Sequence, residues 1–219
     1  MDTPPASEHD RRNGWGRLVF DIRVLRCGFD GGEVAMARYP AAETAKKHER
    51  ILQEASRLFR ENGFSAVSVG DLMKAAELTH GSFYNHFESK LALIGQCIEW
   101  VSPRAAGLIA SAGPTDAGKR AFAAKYLSIA SRDNPGHGCL MSSLGPEIAR
   151  EPAATPAMTN YVQSFIGKLV SHFPWSKPAA ARREAIRMTA AMVGALVLAR
   201  SVDDEALSRE ILRAVAGQF

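Results

Sequence analysis

The chain has 219 residues, 46% of them hydrophobic and 23% charged, with a formal net charge of +4. That apolar content suffices for a packed core, and the modest basic excess suits a phosphate-bearing partner without requiring one. Three cysteines, Cys27, Cys97 and Cys139, make neither a disulfide framework nor a C-x-x-C metal pair, and no apolar run reaches the roughly 18 residues of a membrane span, so the expectation is a cytoplasmic protein with no metal, no cofactor and no membrane.

Residues 1–37 show no sustained period and carry Pro4-Pro5, Gly14, Gly16, Gly28 and Gly31-Gly32. They read as a disordered or mis-started extension, with a fresh start at Met36-Ala37-Arg38. Asp21, Arg23 and Arg26 interrupt what would be the apolar core of a signal peptide. Arg38, Lys46, Lys47, Arg50, Arg57 and Arg60 then cluster before and along a first helix, where a solvated face and a DNA-facing one are the competing readings.

That helix is marked by Ile51, Ala55, Leu58 and Phe59, one apolar face at i, i+4, i+7 and i+8. Asn62-Gly63 supplies a pair able to take the left-handed conformation that ends helices, with Phe64 as the capping hydrophobe. Ser68 followed by Asp71 forms a capping box for a second helix through Val69, Leu72, Met73 and Ala76. Thr79 is placed to cap a third, 80–87, in which Phe83 and Phe87 face a small core one turn apart. The other side of that third helix carries His80, Gly81, Ser82, Tyr84, Asn85 and His86.

Three short helices with a small, polar start to the third form a helix-turn-helix. A recognition helix enters a major groove about 12 Å wide, so its leading residues must be short or polar. Gly81 and Ser82 meet that need, and the helix start at Thr79 offers free N–H groups to an anion. His80, Ser82 and Asn85 are candidates to read base edges. Tyr84, His86 and Lys90 are candidate phosphate contacts, because phosphate needs hydroxyl or cationic donors at the groove rim. Lys46, Lys47 and Ser68 complete the expected DNA-binding set.

Residues 46–93 resemble the DNA-binding domain of the TetR/AcrR family of bacterial repressors. The shared pieces are A-x-x-L-F-x-x-N-G-F at 55–64, V-x-D-L-x-x-A-A at 69–76, L-T-H-G-S-F-Y-N-H-F at 78–87 and S-K-L-A-L at 89–93. Glu77 departs from the pattern, standing where glycine is common. The resemblance implies an all-α homodimer whose subunits each join this reader, 38–93, to a helical ligand-binding and dimerisation domain, 94–219. It also implies a double-stranded operator and a small-molecule effector as partners.

Beyond the reader, helices are expected at 90–111 with a kink at Pro103, at 117–130, at 156–172, at 179–200 and at 204–216, with a further segment at 138–150. The stretch 190–199 is apolar nearly all round and rich in small side chains; it reads as a buried central helix or, by the resemblance, as part of a dimer bundle. An effector cavity needs apolar bulk with few polar groups, and the candidates are Trp100, Phe122, Tyr126, Leu140, Met141, Leu144, Tyr161, Phe165 and Met192, each of which could equally be ordinary core. Cys139 follows His137 and Gly138 at an expected helix start, and Gly138-Cys139-Leu140 resembles a segment through which some relatives sense electrophiles or oxidants; a buried, inert thiol is the competing reading. A cysteine-nucleophile enzyme built on Cys139, His137 and Glu147 is disfavoured by the two-residue spacing of base and nucleophile, so no catalytic residue is assigned.

Overall fold

The computed structural model describes residues 41–219 and is all-α, with no strand among those residues. The expectations for residues 1–37, with the fresh start at Met36, and those for Cys27 and Arg38 lie outside the described residues. No described helix is long and apolar enough to cross a membrane.

Helix α1 (Ala41–Asn62) buries Ile51, Leu52, Ala55 and Phe59 along one stripe. It ends where Gly63 takes φ +85° and its N–H bonds to Phe59 O at 2.9 Å. Phe64 then packs edge-on against Phe59, ring centroids 5.3 Å apart. Helix α2 (Val69–Ala75) opens on a complete capping box. Ser68 Oγ accepts from Asp71 N at 3.1 Å, while Ser68 N donates to Asp71 Oδ2 at 3.0 Å. It closes with Leu78 N on Met73 O at 2.8 Å, which forces Glu77 into the left-handed region at φ 54°. Glu77 thus takes the left-handed conformation that a glycine would adopt without strain.

The third element corrects the expectation of an α-helix. His80–Asn85 is a 3-10 helix, with Ser82 N on Thr79 O and His86 N on Phe83 O. Its six residues include Gly81, a poor helix former, and so short a segment tightens readily to i→i+3 bonding. Thr79 does not cap it through its side chain; instead Ser82 Oγ donates to Thr79 O at 2.7 Å. Phe83 and Phe87 do turn inward, centroids 5.6 Å apart, onto Leu72, Met73 and Ala76.

Helix α3 (Lys90–Ala110) is capped by Ser89 and contains Pro103 without ending there. α4 (Asp116–Tyr126) and α5 (Ile129–Asp133) replace the single helix expected at 117–130, because Ser128 Oγ accepts from Ser131 N at 3.1 Å and starts a new helix. A 3-10 turn at Pro135–His137 leads into α6 (Leu140–Ile148), followed by α7 (Thr155–His172), a second such turn at Pro178–Ala180, α8 (Ala181–Ser201) and α9 (Glu205–Ala216). α3 packs along α7 and α1, and α8 along α9 and α7. Arg200 pins α8 to its neighbours by donating to Arg132 O at 2.9 Å, Ser131 O at 2.7 Å and Ser142 Oγ at 3.1 Å.

Candidate nucleic-acid interface and ligand cavity

The 3-10 segment presents its polar side outward. Tyr84 is 64% exposed, and His80, Gly81 and Asn85 are exposed with it, while Ser82 is half-buried. A Cβ added at Gly81 would meet no atom within 4 Å, so nothing in the fold demands glycine there. Thr79 and Lys46 are also exposed, and Lys47 pairs with Glu43 at 3.0 Å. Ser68 is committed to the capping box; its hydroxyl donates to Asp71 Oδ2 at 2.6 Å, and these bonds hold the Asp71 carboxyl below its ordinary range.

Two of the phosphate candidates are partly engaged by the protein. His86 stands 5.8 Å from His48, whose ring stacks on Phe87 at 4.6 Å, and burial, then His48 and Lys47, disfavours the protonated imidazole. Lys90 carries its ammonium 4.4 Å from the centroid of Phe64, a cation–π contact, with its pKa lowered by burial.

Below the reader lies a cavity of about 490 Å³, within the ordinary range for a small-molecule site. Of the expected ligand residues, Trp100, Phe122, Tyr126, Tyr161 and Phe165 line it, and Cys139 joins them, whereas Leu140, Met141, Leu144 and Met192 sit in the packed core off its walls. Burial raises the pKa of both tyrosines, and the Tyr126 hydroxyl makes no well-formed hydrogen bond, with the Cys139 thiol beside it. Cys97 lies outside the cavity, buried, its thiol pushed up by that burial.

Part of the polar wall comes from a source that periodicity alone did not indicate. Gln53, Glu54, Arg57 and Arg60 of α1 face the cavity, so one helix serves both the reader and the pocket. Arg57 is held by Glu54 at 2.9 Å and Glu61 at 2.6 Å. Arg60 donates to Ser56 O at 2.8 Å and, across the pocket edge, to Gly138 O at 3.1 Å. A second tie runs from Ser65 N, in the turn after α1, to Glu147 Oε2 of α6 at 3.0 Å. Glu147 is thereby a structural acceptor, remote in role from a base for Cys139. Among the described residues no cluster of His, Cys, Asp and Glu is arranged to hold a metal ion.

Comparison with known proteins bears on the same segment. Residues 51–97 match the family described as bacterial regulatory proteins, tetR family. The chain is 41% identical over 64 residues to the HTH-type transcriptional repressor DhaR of Mycobacterium sp. (strain GP1), covering 29% of each chain. It is 39% identical over 64 residues to the HTH-type transcriptional regulator AcrR of Shigella flexneri, covering 29% of this chain and 30% of that one. These matches span only about three-tenths of the relatives' length. Among solved structures, the fold is similar to a TetR-family transcriptional regulator from Agrobacterium tumefaciens, with a TM-score of 0.66 at 22% identity over 80% of this chain and 98% of that one. It is also similar to the reduced form of NemR from E. coli, with a TM-score of 0.64 at 22% identity over 78% and 95%. At that identity the likeness carries the fold.

Proposed function

The chain belongs to the TetR/AcrR family of bacterial transcriptional regulators, and from that premise we propose that it is a ligand-released repressor which binds a palindromic operator as a homodimer. The observation that carries the reading is α1, which packs against α2 of the reader and also forms a wall of the cavity. A small molecule that prefers a conformer with the two readers moved off their one-turn spacing, about 34 Å, lowers operator affinity by its differential binding alone. The exposed Ile186 and Leu198 on α8 and Leu207 on α9 support a helical dimer face, as a palindromic site requires. Repression would take place in the cytoplasm, where the operator is.

In the DNA complex Tyr84 and Lys90, with His86, Lys46 and Lys47, hold phosphates, while His80, Ser82 and Asn85 face base edges and Gly81 lets the backbone approach. The test is binding of the purified protein to the DNA just upstream of its own gene, against a scrambled duplex of equal length, at two salt concentrations. Selective binding by a dimer is expected; equal, steeply salt-dependent binding to both duplexes would overturn the reading.

The second reading is a redox- or electrophile-sensing repressor acting through Cys139, supported by the thiol's place on the cavity wall. N-ethylmaleimide should then modify Cys139 and release the operator, and a Cys139→Ser protein should keep the operator when treated.

A further inference from the structure

The charges around the cavity are unequal. Four cations, Arg57, Arg60, Arg104 and Lys125, line it together with one carboxylate, Glu54. That carboxylate is already committed to Arg57, which Glu61 also holds. Arg104 spends its guanidinium on the face of Trp100, 3.4 Å from the ring centroid, and on Trp100 O at 3.0 Å. Arg60 is the most deeply placed of these cations; its two acceptors, Ser56 O and Gly138 O, are neutral carbonyls, and the carboxylate that acts on it, Glu61, is salt-bridged to Arg57. A half-buried cation with no carboxylate of its own in contact is costly, and the same wall keeps the Tyr126 hydroxyl buried without a well-formed bond. The neighbouring walls are aromatic.

Resting on the reading of this cavity as the effector site, we propose that the effector is an aromatic anion, a flat ring system lodged among Trp100, Phe122, Tyr161 and Phe165 with a carboxylate head on Arg60. A neutral ligand would leave Arg60 without a direct ion pair, and a cationic one would add to three charges, Arg60, Arg104 and Lys125, that no carboxylate contacts. The carboxylate matches the fork of a guanidinium, whose charge-assisted bonds are stronger than neutral ones. This placement also supplies the switch. The guanidinium that would seat the anion is the one that fastens α1 to Gly138 O, so ligand and inter-element tie draw on one group.

The test uses three probes of one shape: 2-naphthoate, 2-naphthamide and 2-naphthylmethylammonium, titrated by calorimetry into the full-length wild type, Arg60→Gln and Arg60→Lys. The acid should bind the wild type at least about tenfold more tightly than the amide, with the ammonium weakest. That preference should fall below about threefold in Arg60→Gln and be partly kept in Arg60→Lys. Equal binding of acid and amide, tighter binding of the ammonium, or no binding of any probe at millimolar concentration would overturn the proposal. Should Arg60→Gln fail to fold in a thermal melt, the wild-type ratio decides alone. Operator binding by the probe-free wild type is measured alongside. Selective operator binding without acid preference removes only the effector class, and acid preference without operator binding removes the regulator reading while leaving the cavity chemistry standing.

Discussion

Gly81 and Glu77 sit four residues apart and depart from ordinary helix chemistry in opposite senses. Gly81 is a glycine where the fold has room for a side chain, and Glu77 is a side chain where the backbone prefers glycine. Replacing Gly81 with alanine should therefore leave thermal stability unchanged or raise it by up to about 1 kcal/mol while weakening operator binding, a split that calorimetry and a DNA titration on one sample would reveal. Glu77→Gly should stabilise by about 0.5–1 kcal/mol in a denaturant melt, because relief of the left-handed strain outweighs an exposed pair with Arg50 that is worth little. His86 adds a pH response. Its folded pKa is lowered, so the folded reader resists a proton that the unfolded chain accepts. Stability is full above the ordinary histidine value near 6.5 and declines as pH falls below it. The thermal midpoint should drop between pH 7.5 and 5.5, and His86→Gln should flatten that slope.

At the scale of elements, what could be read from the residues was mostly where helices stop and start. Asn62-Gly63 and the Ser68–Asp71 box are local devices, decided by a few neighbouring atoms, and they stand in the structure as the sequence implies. Ser68→Ala should accordingly cost about 1 kcal/mol in a denaturant titration. The 3-10 form of His80–Asn85 was not legible, since the same residues satisfy an α-helical pattern and so short a segment can close with either i→i+3 or i→i+4 bonds. Arg60 was legible as a polar residue on an amphipathic helix, but periodicity names a face and never what stands opposite it. Here the opposing element comes 78 residues later in the chain. For the same reason Met141, Leu144 and Met192 could not be told apart from Trp100 and Phe165: all are apolar, and only the packing of distant helices decides which of them border a void. The division of labour proposed for the reader belongs here too. Tyr84→Ala should weaken binding to operator and random DNA alike, whereas Ser82 and Asn85 substitutions should shift sequence preference; equal losses on both duplexes from all three would sink that division.

For the molecule as a whole, reader and cavity are joined by contacts that can be cut singly. The bond from Ser65 N to Glu147 lies away from the pocket, so Glu147→Ala should leave the affinity for a cavity ligand within about twofold while shrinking the ligand's effect on operator affinity. A Glu147→Ala protein that binds ligand and still releases DNA fully would show that this bond carries no coupling.

Helix α3 places Lys90 against the reader's phenylalanines at its first turn and Trp100 on the cavity wall at its middle, with no break at Pro103. Its 21 residues amount to a rod about 30 Å long at 1.5 Å per residue. A rod converts angle into distance, so a tilt of about 5° pivoting at the far end carries the Lys90 end sideways by about 2.6 Å. Two such rods splayed by a two-fold axis would change the gap between the grooves they serve by up to about 5 Å, a sizeable part of a groove about 12 Å wide. In the proposed dimer, a pocket that opens by the thickness of a single aromatic ring would therefore be, at the DNA, a misfit in register.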